Sequence, residues 1–221
     1  MSAHLQRAIE NLMKQLVELS ALAEENVKQS LQALIENDIE LAKKVIELDR
    51  IIDIKEIEIE EECLKIFALH QPVAVDLRYL VAALKINNDL ERVGDLAQNI
   101  AYDVIDILNN PIITKPTDFD FIKIYQKVEL MLKKSLDSIV NLNIEKAYEI
   151  LKEDDDVDRM HWKFTEEIMK ELKKEPEKAD VFHGYLNIVR NLERIADHAT
   201  NIAEDVIYLI EGEIVRHNKS L

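Results

Sequence analysis

The chain has 221 residues, of which 48% are hydrophobic and 33% charged, with only 3 Gly and 4 Pro. That is enough apolar material for a sizeable core, in long elements with few breakers, and it points to an all-α protein. The 44 acidic against 28 basic residues give a formal charge of −16, which argues against nucleic acid or an anionic membrane surface as a direct partner and favours cations or basic protein surfaces.

In chain order, the first helix is expected over about Ala3–Ile35, where Leu5, Ile9, Leu12, Leu16, Leu19, Ala23, Val27 and Leu34 recur every three or four residues. This opening stretch is amphipathic and lacks the apolar run of a signal peptide. No later stretch approaches the roughly 18 uninterrupted apolar residues of a membrane span. Asn37-Asp38 marks a tight turn, with Asp38 as N-cap of a second helix over about Ile39–Leu69. Within it, Ile51–Ile59 is rich in β-branched residues and partly alternates, as a strand would. The helical pattern continues on both sides without turn residues, so the helix reading prevails. Cys63 is the single cysteine; it cannot form an internal disulfide, and a cytoplasmic setting is expected. His70-Gln71-Pro72 ends this helix, and Pro72 is placed in the first turn of a third that runs to about Leu108.

Asn109-Asn110-Pro111 and Thr114–Asp118 form the one clear linker. It divides the chain into two expected three-helix bundles, residues 1–110 and 117–221. Helix four is expected over about Asp118–Leu142. Asn143 caps helix five, which runs to about Lys174, where Glu175-Pro176 breaks it. Helix six covers about Lys178–Glu211, with Gly212 as its C-terminal stop.

The two halves repeat one another. Residues 89–108 read DLERVGDLAQNIAYDVIDIL, and residues 191–210 read NLERIADHATNIAEDVIYLI, with eleven of twenty positions identical. The offset is 102 residues here and 105 in the preceding helix, where Ile39, Ala42, Asp49 and Asp53 align with Ile144, Ala147, Asp154 and Asp158. The difference of three is assigned to the break between those helices, with helices of equal length in both halves.

Each half thereby holds two acidic pairs at a four-residue spacing: Asp49/Asp53 and Glu91/Asp95, then Asp154/Asp158 and Glu193/Asp197. Side chains four apart share one helix face, where like charges repel by about 0.2–0.5 kcal/mol. Keeping that arrangement twice points to a cation between them. Bundle helices lie about 8–10 Å apart, a gap that carboxylates on adjacent helices can bridge through a metal. All-oxygen ligands suit Mg, Mn or Ca; His161 and His198, present only in the second half, would admit Fe, Zn or Ni. Asn99/Asn201 and Asp103/Asp205 continue the ridge as second-tier ligands or as interhelical bonds. The plainer reading is that so acidic a chain shows such pairs by chance, or that they answer Arg92, Arg194 or Lys85. No phosphate-binding glycine loop, HExxH, GxSxG, Glu-x-x-His pair or EF-hand loop is present in the sequence.

The segment from His70-Gln71-Pro72 through Asp76 and Arg78 to Asp89-Leu90-Glu91-Arg92-Val93-Gly94-Asp95, with Arg190–Glu204, resembles the signature of the PhoU family over the whole chain. The resemblance implies two tandem three-helix bundles and identifies the acidic pairs as the family's metal motifs, carrying divalent ions singly or in clusters. Ala196, where many relatives have Gly as at Gly94, is expected to cost little, because Ala favours a helix. The resemblance further implies a non-enzymatic negative regulator of phosphate uptake and phosphate-starvation signalling. Its partners would be the ATPase subunit of the phosphate ABC transporter, a phosphate-sensing histidine kinase and a second copy of the chain as homodimer; it would meet the membrane only through those partners. The alternative is a metal-dependent hydrolase of phosphate compounds, since clustered carboxylates holding two metals are usual for that chemistry.

Overall fold

The computed structural model describes residues 3–111 and 121–215. Thr114–Asp118 of the linker, and with it the expected start of helix four, lie outside the described residues. The helices are α1 (Ala3–Glu36), α2 (Ile39–His70), α3 (Val75–Asn109), α4 (Phe121–Asn141), α5 (Ile144–Lys174) and α6 (Ala179–Glu211), with a 3-10 turn at Pro176–Lys178 before α6.

The local signals act as the sequence predicts at most helix ends. The Asp38 carboxylate accepts from the Leu41 N–H at 3.0 Å, and the Asn143 side chain does the same for Lys146 at 3.1 Å. The residues before them, Asn37 and Leu142, both adopt left-handed backbone, so one turn geometry is used twice. Gly212, at φ 76°, closes α6 by donating to the Tyr208 carbonyl. Two expectations are corrected. Pro72 lies outside α3, which begins only at Val75, because positive-φ backbone at Gln71 and Ala74 brackets a turn there. The three-residue slip is not taken up by the loop, since both breaks are four residues long. Instead α5 has 31 residues against 32 in α2, and α6 has 33 against 35 in α3.

Each half is a triangle of helices: α1, α2 and α3, then α4, α5 and α6. The triangles meet along α3–α6, the most extensive helix contact, and along α1–α4, while α2 and α5 touch only helices of their own half. Buried side chains from both halves, among them Leu12, Leu19, Ile52, Leu90, Met131, Ile188 and Ile195, form one continuous cluster. The former strand candidate is explained by α2 being apolar on two sides: Ile52 and Ile59 are buried, while Ile51, Ile54 and Ile57 face outward.

The α3–α6 seam is stitched by polar pairs that follow the repeat. Lys85 Nζ donates to Asp205 Oδ1 at 3.1 Å, and the equivalent residues Asn187 and Asp103 bond at 3.1 Å. His198 Nδ1 lies 2.8 Å from Asp89 Oδ1, which also accepts from Asn201 Nδ2 at 3.3 Å. Asp103, Asp205 and Asn201 therefore serve as interhelical bonds, the second of the two roles left open by the sequence, and Asn99 is exposed.

Candidate metal centre

In the first half, α2 and α3 run close enough for their acidic faces to meet. One carboxylate oxygen each from Asp49, Asp53 and Asp95 lie within 4.8 Å of one another. Glu91, one turn before Asp95, is half-buried beside them. The close approach depends on Gly94: a Cβ there would stand 2.8 Å from Asp49 Oδ1 and 3.1 Å from two Ile52 side-chain carbons. A residue with no side chain lets the α2 carboxylate press against the α3 backbone.

Asp49 is 2% exposed. Its Oδ2 accepts from Gln98 Nε2 at 2.5 Å, whereas its Oδ1 is buried with no hydrogen-bond donor. Loss of water, then the charges of Asp53, Asp95 and Glu91, push Asp49 from the usual 3.8 up to about 7. Burial and Asp95 also raise Asp53, and burial followed by Asp95 raises Glu91, with Arg92 opposing. Arg92 only partly offsets this repulsion: its Nη1 donates to Asp95 Oδ2 at 2.8 Å, and its Nε lies 3.4 Å from Glu91 Oε2.

In the second half, Asp154, Asp158, Glu193 and Asp197 face one another across α5 and α6. Burial, then Asp158 and Asp154, raise Glu193. Asp197 keeps solvent access yet is pushed up to about 6, first by loss of water around the carboxylate and then by Glu193, Asp154 and Asp158. Asp154 is raised by burial and by Asp158, and its Oδ1 accepts from Thr200 Oγ1 at 3.2 Å. Among the described residues no second trio of Asp, Glu, His or Cys converges as tightly as Asp49, Asp53 and Asp95.

Of the eight predicted ligands, Asp49, Asp53 and Asp95 converge across α2 and α3, Glu91 lies within the fields of Asp95 and Asp53, and Asp154, Asp158, Glu193 and Asp197 lie within one another's fields across α5 and α6 without converging as tightly. The donors are carboxylate oxygens in a partly dehydrated, mutually repelling arrangement, and Asp49 Oδ1 is a buried acceptor without a donor. Those properties fit a hard divalent cation. Of the two flagged histidines, His161 faces the second set, and His198 is engaged in the seam. Sequence reasoning missed Gln98 and Thr200, which orient Asp49 and Asp154. The repeat alignment could have found them, since both are hydrogen-bond donors three residues after the last predicted ligand of each half.

Comparison with known proteins gives a consistent picture. The PhoU domain matches this chain twice, over residues 16–104 and 121–206. The chain is 36% identical over 215 residues to a phosphate-specific transport system accessory protein PhoU homolog of Clostridium acetobutylicum, covering 95% of each chain. It is 35% identical to the homolog of Aquifex aeolicus, covering 96% of this chain and 95% of that one. The crystal structure of PhoU from Pseudomonas aeruginosa aligns with a TM-score of 0.89 at 32% identity, over 94% of this chain and 99% of that one. That of the phosphate transport system regulatory protein PhoU from Streptococcus pneumoniae gives 0.86 at 29% identity, over 96% and 99%.

Proposed function

The chain belongs to the PhoU family, and on that premise we propose that it is a metal-binding regulatory adaptor that restrains phosphate uptake and phosphate-starvation signalling. Its relatives carry names that describe an accessory or regulatory protein of phosphate transport. The adaptor acts by docking, on the ATPase subunit of the phosphate ABC transporter and on the phosphate-sensing histidine kinase, at the cytoplasmic face of the membrane, as a homodimer. No helix among the described residues is long and apolar enough to cross a membrane, so contact with the membrane comes through these partners.

The observation that carries this reading is the converging trio of Asp49, Asp53 and Asp95 with the donorless Asp49 Oδ1 at its heart, in an acidic pattern that the sequence repeats in the second half. Asp49 and Asp53 from α2, with Glu91 and Asp95 from α3, would hold one ion or cluster; Asp154 and Asp158 from α5, with Glu193 and Asp197 from α6, the other. A bound cation supplies the positive charge that cancels the repulsion between those helices. The chain's own residues do the rest. Gly94 permits the approach, Gln98 and Thr200 fix the innermost carboxylates, and the outer face of α2 offers apolar surface to a partner. Ile51, Ile54, Ile57 and Leu64 are each about half exposed, bordered by Glu47, Glu58 and Glu61, a pattern suited to a partner with an apolar ridge and a basic rim. The signature turn at His70–Val75 adds exposed Leu69, Val73 and Val75 around the positive-φ Gln71 and Ala74.

The test is elemental analysis of the purified chain beside an Asp95→Ala/Asp197→Ala variant, followed by binding to the transporter ATPase subunit with and without chelator. Several ions per chain, lost in the variant, with weaker docking after chelation, are expected. Equal metal content in both proteins would refute the metal part. Turnover of a phosphate ester by the wild type, abolished in Glu91→Ala/Glu193→Ala, would replace the adaptor with the metal-dependent hydrolase.

A further inference from the structure

Duplication alone would leave the two outermost helices with the same outer surface, and α2 and α5 do not share one. At the 105-residue offset, Ile51, Ile54 and Ile57 of α2 align with Asp156, Arg159 and Trp162 of α5. On α5, Asp156 and Arg159 pair with each other, so the face is charged and satisfied within its own chain. On α2, Ile51, Ile54, Ile57 and Leu64 are each about half exposed. No other helix covers them, because α2 packs only on α1 and α3. An exposed apolar row with a charged rim marks a contact surface, and α5 carries no copy of it.

The charges on that row identify what fits it. Steps of three or four residues place Glu47, Arg50, Ile54, Ile57, Glu61 and Leu64 along one line of the helix, with Lys65 beside its end. Glu47, Arg50, Glu61 and Lys65 are all exposed. Among the described residues Glu47 and Arg50 have no ion-pair partner, and Lys65 stands 3.8 Å from both Glu61 and Glu62. Let a second α2 cross antiparallel about a two-fold axis midway between Ile54 and Ile57. Ile54 of each copy then meets Ile57 of the other. Arg50 comes level with Glu61, and Glu47 comes within one residue of Lys65. Symmetry makes every one of these contacts twice. A parallel pairing would instead set Glu47 on Glu47, Arg50 on Arg50 and Glu61 on Glu61. The line is self-complementary in the antiparallel orientation.

We propose that the outer face of α2 is an isologous interface for a second copy of this chain, with the two α2 helices antiparallel, Ile54 packed on Ile57, and Arg50–Glu61 and Glu47–Lys65 pairs on either side. This rests on the homodimer part of the proposed function and gives it a surface. Because the row occurs on α2 and not on α5, the two-fold contact closes at two copies. The turn at His70–Val75 lies past the end of the contact and stays open to other partners. The line from Glu47 to Lys65 is about 27 Å long. A single helix face of that length sits at the small end of specific interfaces, so the dimer is weak and depends on concentration.

The experiment is sedimentation velocity of the full chain over a range of protein concentrations, as wild type, Ile54→Asp, Arg50→Glu, Glu61→Arg and Trp162→Ala. The wild type is expected to pass from monomer to dimer as concentration rises, and Ile54→Asp to remain monomeric. Arg50→Glu and Glu61→Arg should each weaken the dimer by at least about tenfold. An equimolar mixture of those two variants should dimerise as the wild type does, because the mixed pair restores opposite charges at both positions. Trp162→Ala, on the α5 face, should behave as the wild type. All four positions are exposed, and circular dichroism checks that each variant is folded. A dimer that persists in Ile54→Asp, or a mixture no tighter than either charge variant alone, would overturn the inference while leaving the homodimer reading standing. A wild type that stays monomeric at every concentration would overturn both and leave the row to a partner of another kind.

Discussion

Gly94→Ala puts the geometry of the first centre to a direct test, because propensity and packing predict opposite signs. On an isolated helix, Ala in place of Gly stabilises by about 1 kcal/mol. At position 94 the new methyl stands 2.8 Å from Asp49 Oδ1 and 3.1 Å from two carbons of Ile52. Ile52 is fully buried and Asp49 is anchored by Gln98 at 2.5 Å, so neither yields freely. Overpacking of this kind costs about 1–3 kcal/mol. Taking about 2 kcal/mol for the clash against about 1 for propensity leaves a net loss near 1 kcal/mol, or roughly 2–4 °C in melting temperature for a chain of this size.

The functional effect should be larger than the thermal one, because the displaced atom is a proposed ligand. Mn²⁺ affinity at the first centre should fall by about tenfold or more, as expected when a ligand's supporting geometry is lost. Ala196→Gly is the control: it should lose up to about 1 kcal/mol through propensity alone and leave the first centre untouched. Thermal melts of the metal-stripped proteins and Mn²⁺ calorimetry read both quantities. A Gly94→Ala protein that melts a few degrees higher and binds Mn²⁺ as the wild type does would show that propensity rules at this position and that the close approach is incidental.

Two further predictions follow from the same structure. Asp49, raised from 3.8 to about 7, and Asp197, raised to about 6, favour their protonated forms in the folded state. Their contribution to stability is therefore full below about pH 4 and lost as pH rises through 6–7. The metal-stripped chain should melt higher at pH 5 than at pH 8, and divalent metal at pH 8 should restore the difference; a melting temperature that rises steadily from pH 5 to 8 without metal would contradict this. In the seam, Asp205 is 1% exposed and Lys85 sits 3.1 Å away, so Lys85→Met should cost about 1–3 kcal/mol in urea denaturation, less than a wholly buried pair because Lys85 keeps solvent access.

Helix number and the capping residues Asp38 and Asn143 were legible because each is a local pattern that the repeat states twice, and the stop at Gly212 because a glycine past a helix end is a local signal by itself. The roles of Asp103, Asp205 and Asn201 were not, and the reason is geometric. A four-residue step overshoots one helical turn by about 40°, so a ridge from Glu91 to Asp103 winds about 120° around α3. Glu91 and Asp95 face α2, while Asp103 has turned to α6. Spacing alone identifies a ridge and cannot say which neighbour each part meets. The part played by Gly94 was not legible for a related reason. Helix propensity is a property of one helix, whereas the need for glycine comes from a carboxylate on another.

The topology also indicates where the effect of a bound ion would be felt. The proposed centres lie between α2 and α3 and between α5 and α6, whereas α3 and α6 are held to each other by the seam's polar pairs and shared core. Because α2 packs only on α1 and α3, and α5 only on α4, α6 and the 3-10 turn, repulsion released by losing the ion would act on the outermost helices. On α2 those are also the residues beside the outward Ile51, Ile54 and Ile57. Chelation should therefore speed amide exchange in α2 around residues 49–59 and in α5 around 154–164, and leave the seam-facing stretches 80–104 of α3 and 185–206 of α6 protected. Hydrogen-exchange mass spectrometry separates these segments. Faster exchange confined to the outer helices would tie the ion to the shape of the proposed docking face. Exchange that begins at the seam would mean that metal holds the two halves together, and that α2 and α5 owe their order to packing alone.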